Sequence, residues 1–103
     1  MRKAYARAIP APWRRTARIF AALGDAHRQR ILLMFERGER LNVGEIVAAS
    51  TLSRSAVSYH LRVLREAGVL VREKVGKEVY FWPDPRAVRE ALDAVRDYLA
   101  AHY

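Results

Sequence analysis

Hydrophobic side chains recur every three or four residues in five stretches of the chain, and this spacing predicts five helices. The first helix begins at Trp13 and ends at Gly24. The second begins at Asp25, a favourable N-cap, and continues to Gly38. Because Leu33 and its apolar neighbours widen the hydrophobic surface of this second helix, we expect it to be largely buried.

Two further helices follow, and each is opened by a polar cap. Asn42 and Glu45 form a capping-box signature at the start of a helix of about residues 43–50. Ser53 caps a fourth helix of about residues 54–67. One side of this fourth helix is apolar. Its opposite side carries hydrogen-bonding and cationic side chains, namely Arg54, Ser55, Ser58, Tyr59 and Arg62.

Between residues 69 and 82 the pattern changes to runs of β-branched and aromatic residues, which predict two strands. The dipeptide Gly76-Lys77 between them suits a type II′ hairpin turn. Asp84 and Pro85 then signal the start of a last helix. An almost continuous apolar stripe runs along that helix.

These elements predict a mainly α fold with a β-hairpin wing, in the order α-α-α-α-β-β-α. A short helix, a tight turn and a second helix with a polar front are typical of a helix-turn-helix, so we predict a winged helix-turn-helix. The chain of 103 residues suits a single domain, which we assign to residues 13–103. Residues 1–12 are expected to form a basic arm, in which Pro10 and Pro12 interrupt any helix.

The charge of the chain points to a polyanionic partner. Lys and Arg number 19 against 11 Asp and Glu, a net charge of +8. Residues 1–82 hold 16 basic and 7 acidic side chains, a balance of +9, whereas residues 83–103 hold 3 and 4, a balance of −1. No apolar run approaches the length of a membrane span, so we expect a cytoplasmic location and nucleic acid, not a membrane, as partner.

The polar face of the fourth helix fits the major groove of double-stranded DNA, which admits one α-helix. Arg54 can form two hydrogen bonds with a guanine edge, whereas Arg62 and Arg65 lie farther along, where phosphate contacts are expected. Basic residues of the wing can contact the DNA backbone or the minor groove. The predicted DNA-binding residues are Arg54, Ser55, Ser58, Tyr59, Arg62, Arg72, Lys74 and Lys77. No nucleophile motif, phosphate-binding loop or paired carboxylate supports an enzyme.

The sequence resembles the ArsR/SmtB-type winged-helix repressors over roughly residues 13–100. The motifs that carry the resemblance are Ala22-Leu23-Gly24-Asp25, Arg28-x-Arg30-Ile31-Leu32, Leu52-Ser53-x-Ser55-x-Val57-Ser58-x-His60-Leu61-x-Val63-Leu64-Arg65-Glu66-Ala67-Gly68-Val69-Leu70 and Gly76-Lys77-x-Val79-Tyr80. The resemblance implies a homodimeric DNA-binding repressor that is released by a ligand or chemical signal. Two recognition helices related by the two-fold axis of such a dimer should read an inverted repeat. The resemblance also implies that the first and last helices form the dimer interface, through Trp13, Phe20, Val88, Leu92, Val95 and Leu99.

The sensing sites known in that family are missing from this chain. Its arsenic, cadmium and lead sensors carry a Cys-Val-Cys run where this chain has Asn42-Val43-Gly44. Its zinc sensors carry Asp-x-His and His-x-x-Glu in the last helix, where counting from Asp84 gives Arg86, Asp97 and Ala100. The chain has no cysteine, which excludes disulfides, thiol redox sensing and thiolate metal sites.

We therefore predict no cofactor, no metal site and a release signal other than thiol chemistry. Several alternatives stay open at this point. The effector can be an unidentified small molecule, or the protein can be a constitutive autorepressor without its own inducer. A nonspecific nucleic-acid-binding protein is the competing function, and a metal site of new composition could use His102 with Asp93 or Asp97. His60 is expected to have a structural or phosphate-contacting role, and His27 to act as a capping or interhelical hydrogen-bonding residue.

Overall fold

The structure is a computed structural model that describes residues 9–103. It confirms the predicted winged helix-turn-helix and adds one short strand ahead of the third helix. The elements in chain order are α1 (Arg14–Leu23), α2 (Ala26–Leu32), β1 (Leu41–Asn42), α3 (Val43–Ala49), α4 (Arg54–Glu66), β2 (Leu70–Val75), β3 (Glu78–Pro83) and α5 (Pro85–His102).

The chain enters α1 through a short 3₁₀ helix, Ala11–Trp13. The expectation that Pro12 interrupts helical structure was wrong, because proline is well tolerated in a first helical turn, whose N–H groups have no helical acceptor. The backbone N–H of Trp13 donates instead to the carbonyl of Pro10 at 2.8 Å. Most of the predicted arm, residues 1–8, lies outside the described residues.

The end of α2 differs from the prediction. Asp25 caps the helix as expected, accepting hydrogen bonds from the backbone N–H groups of His27 and Arg28. The helix ends at Leu32, however, and not at Gly38, since the N–H groups of Met34 and Phe35 bond to carbonyls only three residues back. Leu33 is 84% exposed, so the expectation of a largely buried second helix was also wrong.

The predicted caps of the later helices are confirmed. Asn42 and Glu45 form the complete capping box of α3, with hydrogen bonds of 2.8 and 2.9 Å. Ser53 accepts from the N–H of Ala56 at the start of α4. Asp84 accepts from the N–H of Arg86 at the start of α5, and the same arginine side chain, by hydrogen bonding, holds the pKa of Asp84 below its usual value.

The sheet has the strand order β1-β3-β2, with all pairs antiparallel. Gly76 adopts a φ of +63° in the hairpin turn, and no non-glycine residue among the described ones has a positive φ. A positive φ at Gly76 alone matches the predicted type II′ turn. The strand β1 was not predicted, because a pair of residues is too short to give a period in the sequence.

The core lies between the helices and the inner face of the sheet. Its largest fully buried side chains are Ile19, Ile31, Ile46, Leu61, Leu64, Leu70 and Val57. The last helix contributes only Ala87 and Ala91 to the buried residues, so most of its apolar stripe lies outside this core. Within residues 9–103, none of the helices has the length and hydropathy needed to cross a membrane.

Candidate nucleic-acid interface

The turn between α3 and α4 is built by two serines. The hydroxyl of Ser50 accepts a hydrogen bond from the N–H of Leu52 at 3.1 Å and lies 3.3 Å from the carbonyl of Val47. Ser53 then caps α4. These local hydrogen bonds compete with helix continuation, and they let the chain leave α3 and enter α4 within a few residues. The arrangement fixes how α4 projects from the body of the domain.

One side of α4 is anchored in the core. Val57, Leu61 and Leu64 are at most 1% exposed, and His60 is buried beside them. Burial of this kind contributes roughly 1.5–3 kcal/mol for each large aliphatic side chain. The helix is therefore held rigidly enough to present its opposite side at a defined position.

The opposite side of α4 is exposed and cationic, as predicted. The five residues predicted there line one shallow depression, namely Arg54, Ser55, Ser58, Tyr59 and Arg62. The guanidinium carbon of Arg62 lies 5.8 Å from the centre of the Tyr59 ring, and Tyr59 is half exposed. In the described part of the chain, neither Arg54 nor Arg62 forms a salt bridge, so both guanidinium groups are available to an anionic partner.

A second groove lies between α4 and the wing. Three guanidinium groups, those of Arg62, Arg65 and Arg72, line it together with the hydroxyl of Ser58. Its apolar floor includes the side chain of Phe81, which pairs with Arg72 across the hairpin. Because paired residues share a face of the sheet, the burial of Phe81 shows that Arg72 lies on the face turned toward α4. Such a cluster of guanidinium groups suits a phosphate.

Lys74 and Lys77 lie farther out on the wing than this groove. Lys74 pairs with Val79 and shares the sheet face of Arg72 two residues along, while Lys77 follows Gly76 in the turn. Neither lysine lines the groove or the depression on α4. The structure therefore gathers Arg72 with α4 and leaves the two lysines on the exposed part of the hairpin.

Sequence analysis did not single out Arg28 as part of this region. Its guanidinium group donates to the carbonyls of Ala22 and Ala21, at 2.7 and 3.4 Å, and reaches Nδ1 of His60 at 3.2 Å. His60 is therefore a structural residue of α4, one of the roles expected for it. Arg28 and Arg30 are two residues apart on α2, and no sequence pattern distinguishes the half-buried Arg28, which makes these contacts, from the exposed Arg30.

Apolar side chains are exposed where α1 and α5 lie against each other. Phe20, Leu92 and Leu99 are 38, 49 and 51% exposed, which is unusual for large hydrophobic residues that have helix neighbours. Trp13 packs edge to face on Tyr98, with ring centroids 5.4 Å apart. Val88 and Val95 are half-buried. Five of the six residues predicted for a dimer interface thus lie on α1 and α5, the two helices that contact each other at this surface, and Trp13 lies in the 3₁₀ helix that leads into α1.

Residues 9–103 bring together no group of three or more His, Asp or Glu side chains that could hold a metal ion. The three residues considered for a new metal site all belong to α5, where Asp93 faces Arg96 at 3.8 Å. The His102 ring packs on Tyr98 with centroids 4.2 Å apart.

A family model described as "Bacterial regulatory protein, arsR family" matches residues 25–71. A crystal structure described as a possible transcriptional regulator for arsenical resistance is 30% identical, with a TM-score of 0.66 over 80% of this chain and 82% of that one. The chain belongs to the ArsR family. The family match spans α2, the helix-turn-helix and the start of the wing, so it includes the exposed face of α4 and ends just before Arg72.

Two other proteins are similar to this ArsR-family chain. The arsenic resistance transcriptional regulator ArsR1 of Pseudomonas putida is 38% identical over 77 residues, which are 75% of this chain and 59% of that protein. A homodimeric winged helix-turn-helix DNA-binding domain from Mycobacterium bovis has a TM-score of 0.70, covers 98% of this chain and 93% of its own, and at 20% identity shows the fold alone.

The chain spans about six-tenths of the length of two curated relatives that it matches, ArsR1 and an SmtB homolog of Synechocystis. Some matched relatives are named as transcriptional repressors. The prediction that the chain is not an enzyme is confirmed at the level of its family, whose matched members are named as regulators of transcription.

Proposed function

We propose that the chain is a sequence-specific, homodimeric DNA-binding repressor that reads an inverted repeat and is released by a signal other than thiol chemistry. The observation that carries this proposal is the exposed face of α4, where Arg54 and Arg62 flank two serines and a tyrosine. Arginine and serine side chains on one exposed helix face match the donors and acceptors of base edges and phosphates.

The groove between α4 and the wing supports a DNA backbone contact next to this helix. Arg62, Arg65 and Arg72 line it and can neutralise a phosphate while α4 occupies the major groove. The last helix carries a charge balance of −1 over residues 83–103, which suits an interface away from the DNA.

The exposed apolar surface of α1 and α5 supports the homodimer. Phe20, Leu92 and Leu99 would be removed from water by a second copy of the chain placed across a two-fold axis. Such a dimer presents two α4 helices, and helices that enter successive major grooves on one side of DNA lie about 34 Å apart. An inverted repeat is the DNA sequence that matches this symmetry.

Repression is supported by the relatives that are named as repressors. A release signal other than thiol chemistry is supported by the absence of cysteine from the chain. The family's paired thiolates correspond here to Asn42 and Gly44, and Asn42 is already used in the capping box of α3. A small effector at the dimer interface is one source of the signal, and a constitutive autorepressor is the alternative.

Selection from a random pool of DNA duplexes, followed by gel-shift titration at moderate salt, tests the proposal. The expected product is an inverted repeat with half-sites about 10–10.5 base pairs apart, bound more tightly than bulk DNA. Arsenite and a thiol-alkylating reagent should leave the complex intact, because neither finds a thiol. Enrichment of no sequence, with a uniform footprint on every duplex, would instead favour the nonspecific nucleic-acid-binding protein.

A further inference from the structure

Arg28 joins three helices through one guanidinium group. The residue belongs to α2, and its Nε and Nη2 atoms donate to the carbonyls of Ala22 and Ala21 near the end of α1. Its Nη1 atom lies 3.2 Å from Nδ1 of His60 on α4. The guanidinium therefore connects the DNA-facing helix with α1, one of the two helices that carry the exposed apolar surface.

The contact with Arg28 fixes the protonation state of His60. Arginine remains charged and can only donate, so Nδ1 of His60 must accept the hydrogen bond through its lone pair. The imidazole is then neutral and carries its proton on Nε2. Protonation of Nδ1 would remove the acceptor and place a second cation beside the guanidinium group.

The surroundings of His60 also disfavour the charged ring. His60 is 9% exposed, and the ring of His27 lies 5.8 Å away between centroids. Burial is the main cause that lowers the pKa of His60 from 6.5, the positive charges of Arg28 and His27 act in the same direction, and the carboxylate of Asp25 opposes them. These groups belong to the start of α2 or its N-cap, and Tyr59 is the ring neighbour on α4 itself.

We infer that Arg28 and neutral His60 are positioning residues that hold α4 in its DNA-binding orientation, and that protonation of His60 releases this hold and weakens DNA binding. The inference rests on the proposed function, and it makes the proton a signal that needs no thiol. The protonation of His60 is thus coupled to the position of α4 through the hydrogen bond between Arg28 and His60, because Arg28 is also bonded to the end of α1.

The direction of the pH effect on DNA affinity distinguishes the release of α4 from a general effect of protein charge. Acidification makes the protein more cationic, and added positive charge normally strengthens binding to the phosphate backbone. The release of α4 predicts the opposite result. At constant ionic strength, the affinity for a selected duplex should fall at least about fivefold between pH 7.5 and pH 5.5, the size of a typical coupling between sites.

Substitutions at position 60 test the inference directly. His60→Asn keeps an acceptor near the position of Nδ1 but cannot be protonated, so its affinity should match the wild type at pH 7.5 and should not fall on acidification. His60→Leu removes the acceptor and should bind weakly at both pH values. His102→Asn is the matched histidine control and should retain the acid-induced loss unchanged. His27→Asn should also retain the loss but shift it to higher pH, because this variant lacks the charge that helps to lower the pKa of His60. A loss in His60→Asn equal to that of the wild type, or its disappearance in His27→Asn, would overturn the inference.

A measurement on the wild-type protein without DNA keeps the test independent of the variants and of the proposed function. The ¹⁵N shifts of the His60 ring should show an unprotonated Nδ1 at pH 7.5 and a midpoint below the ordinary histidine pKa of 6.5. The backbone amide signals of α1 should change on acidification. A protonated Nδ1 at pH 7.5, or an α1 that does not respond, would refute the coupling even if a preferred duplex is found. Failure to select any duplex, by contrast, would reject the proposed function, while these spectra would still decide the coupling.

Discussion

The guanidinium carbon of Arg40 lies 3.8 Å from the centre of the Trp82 ring, and Nη1 of the same arginine lies 3.3 Å from Oε1 of Glu73. Arg40 immediately precedes β1, Trp82 is on β3 and Glu73 is on β2. One side chain therefore crosses the outer face of all three strands, opposite the face that carries Arg72 and Phe81. It braces the wing against the segment that leads into the helix-turn-helix.

We expect Arg40→Ala to destabilise the protein by about 0.5–1 kcal/mol, the range for a cation–π contact at an exposed site. The ion pair with Glu73 adds little, because both side chains are about half exposed and water screens their charges. Urea unfolding measures the change. Arg37→Ala is the matched control, since Arg37 is exposed and is not ion-paired in the described part of the chain. Equal losses of unfolding free energy in the two variants would show that the contacts of Arg40 with Trp82 and Glu73 do not stabilise the protein.

The parts of the fold that sequence predicts well are those set by neighbouring residues. The capping box of Asn42 with Glu45 involves atoms three residues apart, so the motif is readable without knowledge of the rest of the chain. The same holds for Ser53 before α4 and for Gly76 in the turn. The exposed face of α4 followed from its helical period alone.

The features that sequence reasoning missed depend on distant contacts. The strand β1 exists because Leu41 and Asn42 meet Phe81 and Tyr80 on β3, about forty residues later in the chain. The sequence likewise has no helix-stop signal at Leu33. The early end of α2 is required only by the path of the backbone toward β1. Arg28 could not be chosen among many arginines until α1 and α4 were placed beside it.

We expect Arg54 to contact a base edge, because it lies in the first turn of α4 and on the exposed face of that helix. Arg54→Ala should weaken binding to a selected duplex by about 1–3 kcal/mol and broaden the preference at one position of each half-site. Competition titrations against duplexes substituted at single positions measure both effects. If binding to selected and random DNA weakens equally, Arg54 contacts phosphate only.

Arg72 should contribute to DNA affinity without affecting sequence preference. It lines the groove with Arg62 and Arg65, where a backbone phosphate is the expected ligand. Arg72→Ala should reduce the slope of log affinity against log salt concentration by about 1 and weaken binding to all sequences alike. Arg89→Ala, an exposed arginine on α5, is the matched control and should leave the slope unchanged. A change in sequence preference on losing Arg72 would show that the wing reads bases.

We expect the exposed apolar surface of α1 and α5 to form the homodimer interface. Leu92 is 49% exposed on α5 beside the buried Ala91, and a second copy of the chain would cover it. Leu92→Glu would bury a carboxylate in the dimer, a cost of several kcal/mol, so the protein should sediment as a monomer at micromolar concentration. Leu33→Glu introduces the same charge at a leucine that is 84% exposed at the end of α2, and should leave the dimer intact.

The two variants also separate assembly from DNA contact, because neither residue lines the depression on α4 or the groove beside the wing. Loss of the dimer in Leu92→Glu should reduce affinity for an inverted repeat far more than affinity for a single half-site, since only a dimer engages both halves. A monomeric wild type, or a Leu92→Glu dimer of unchanged stability, would show that the exposed surface of α1 and α5 is not the interface. A Leu33→Glu monomer would place the interface instead at the end of α2.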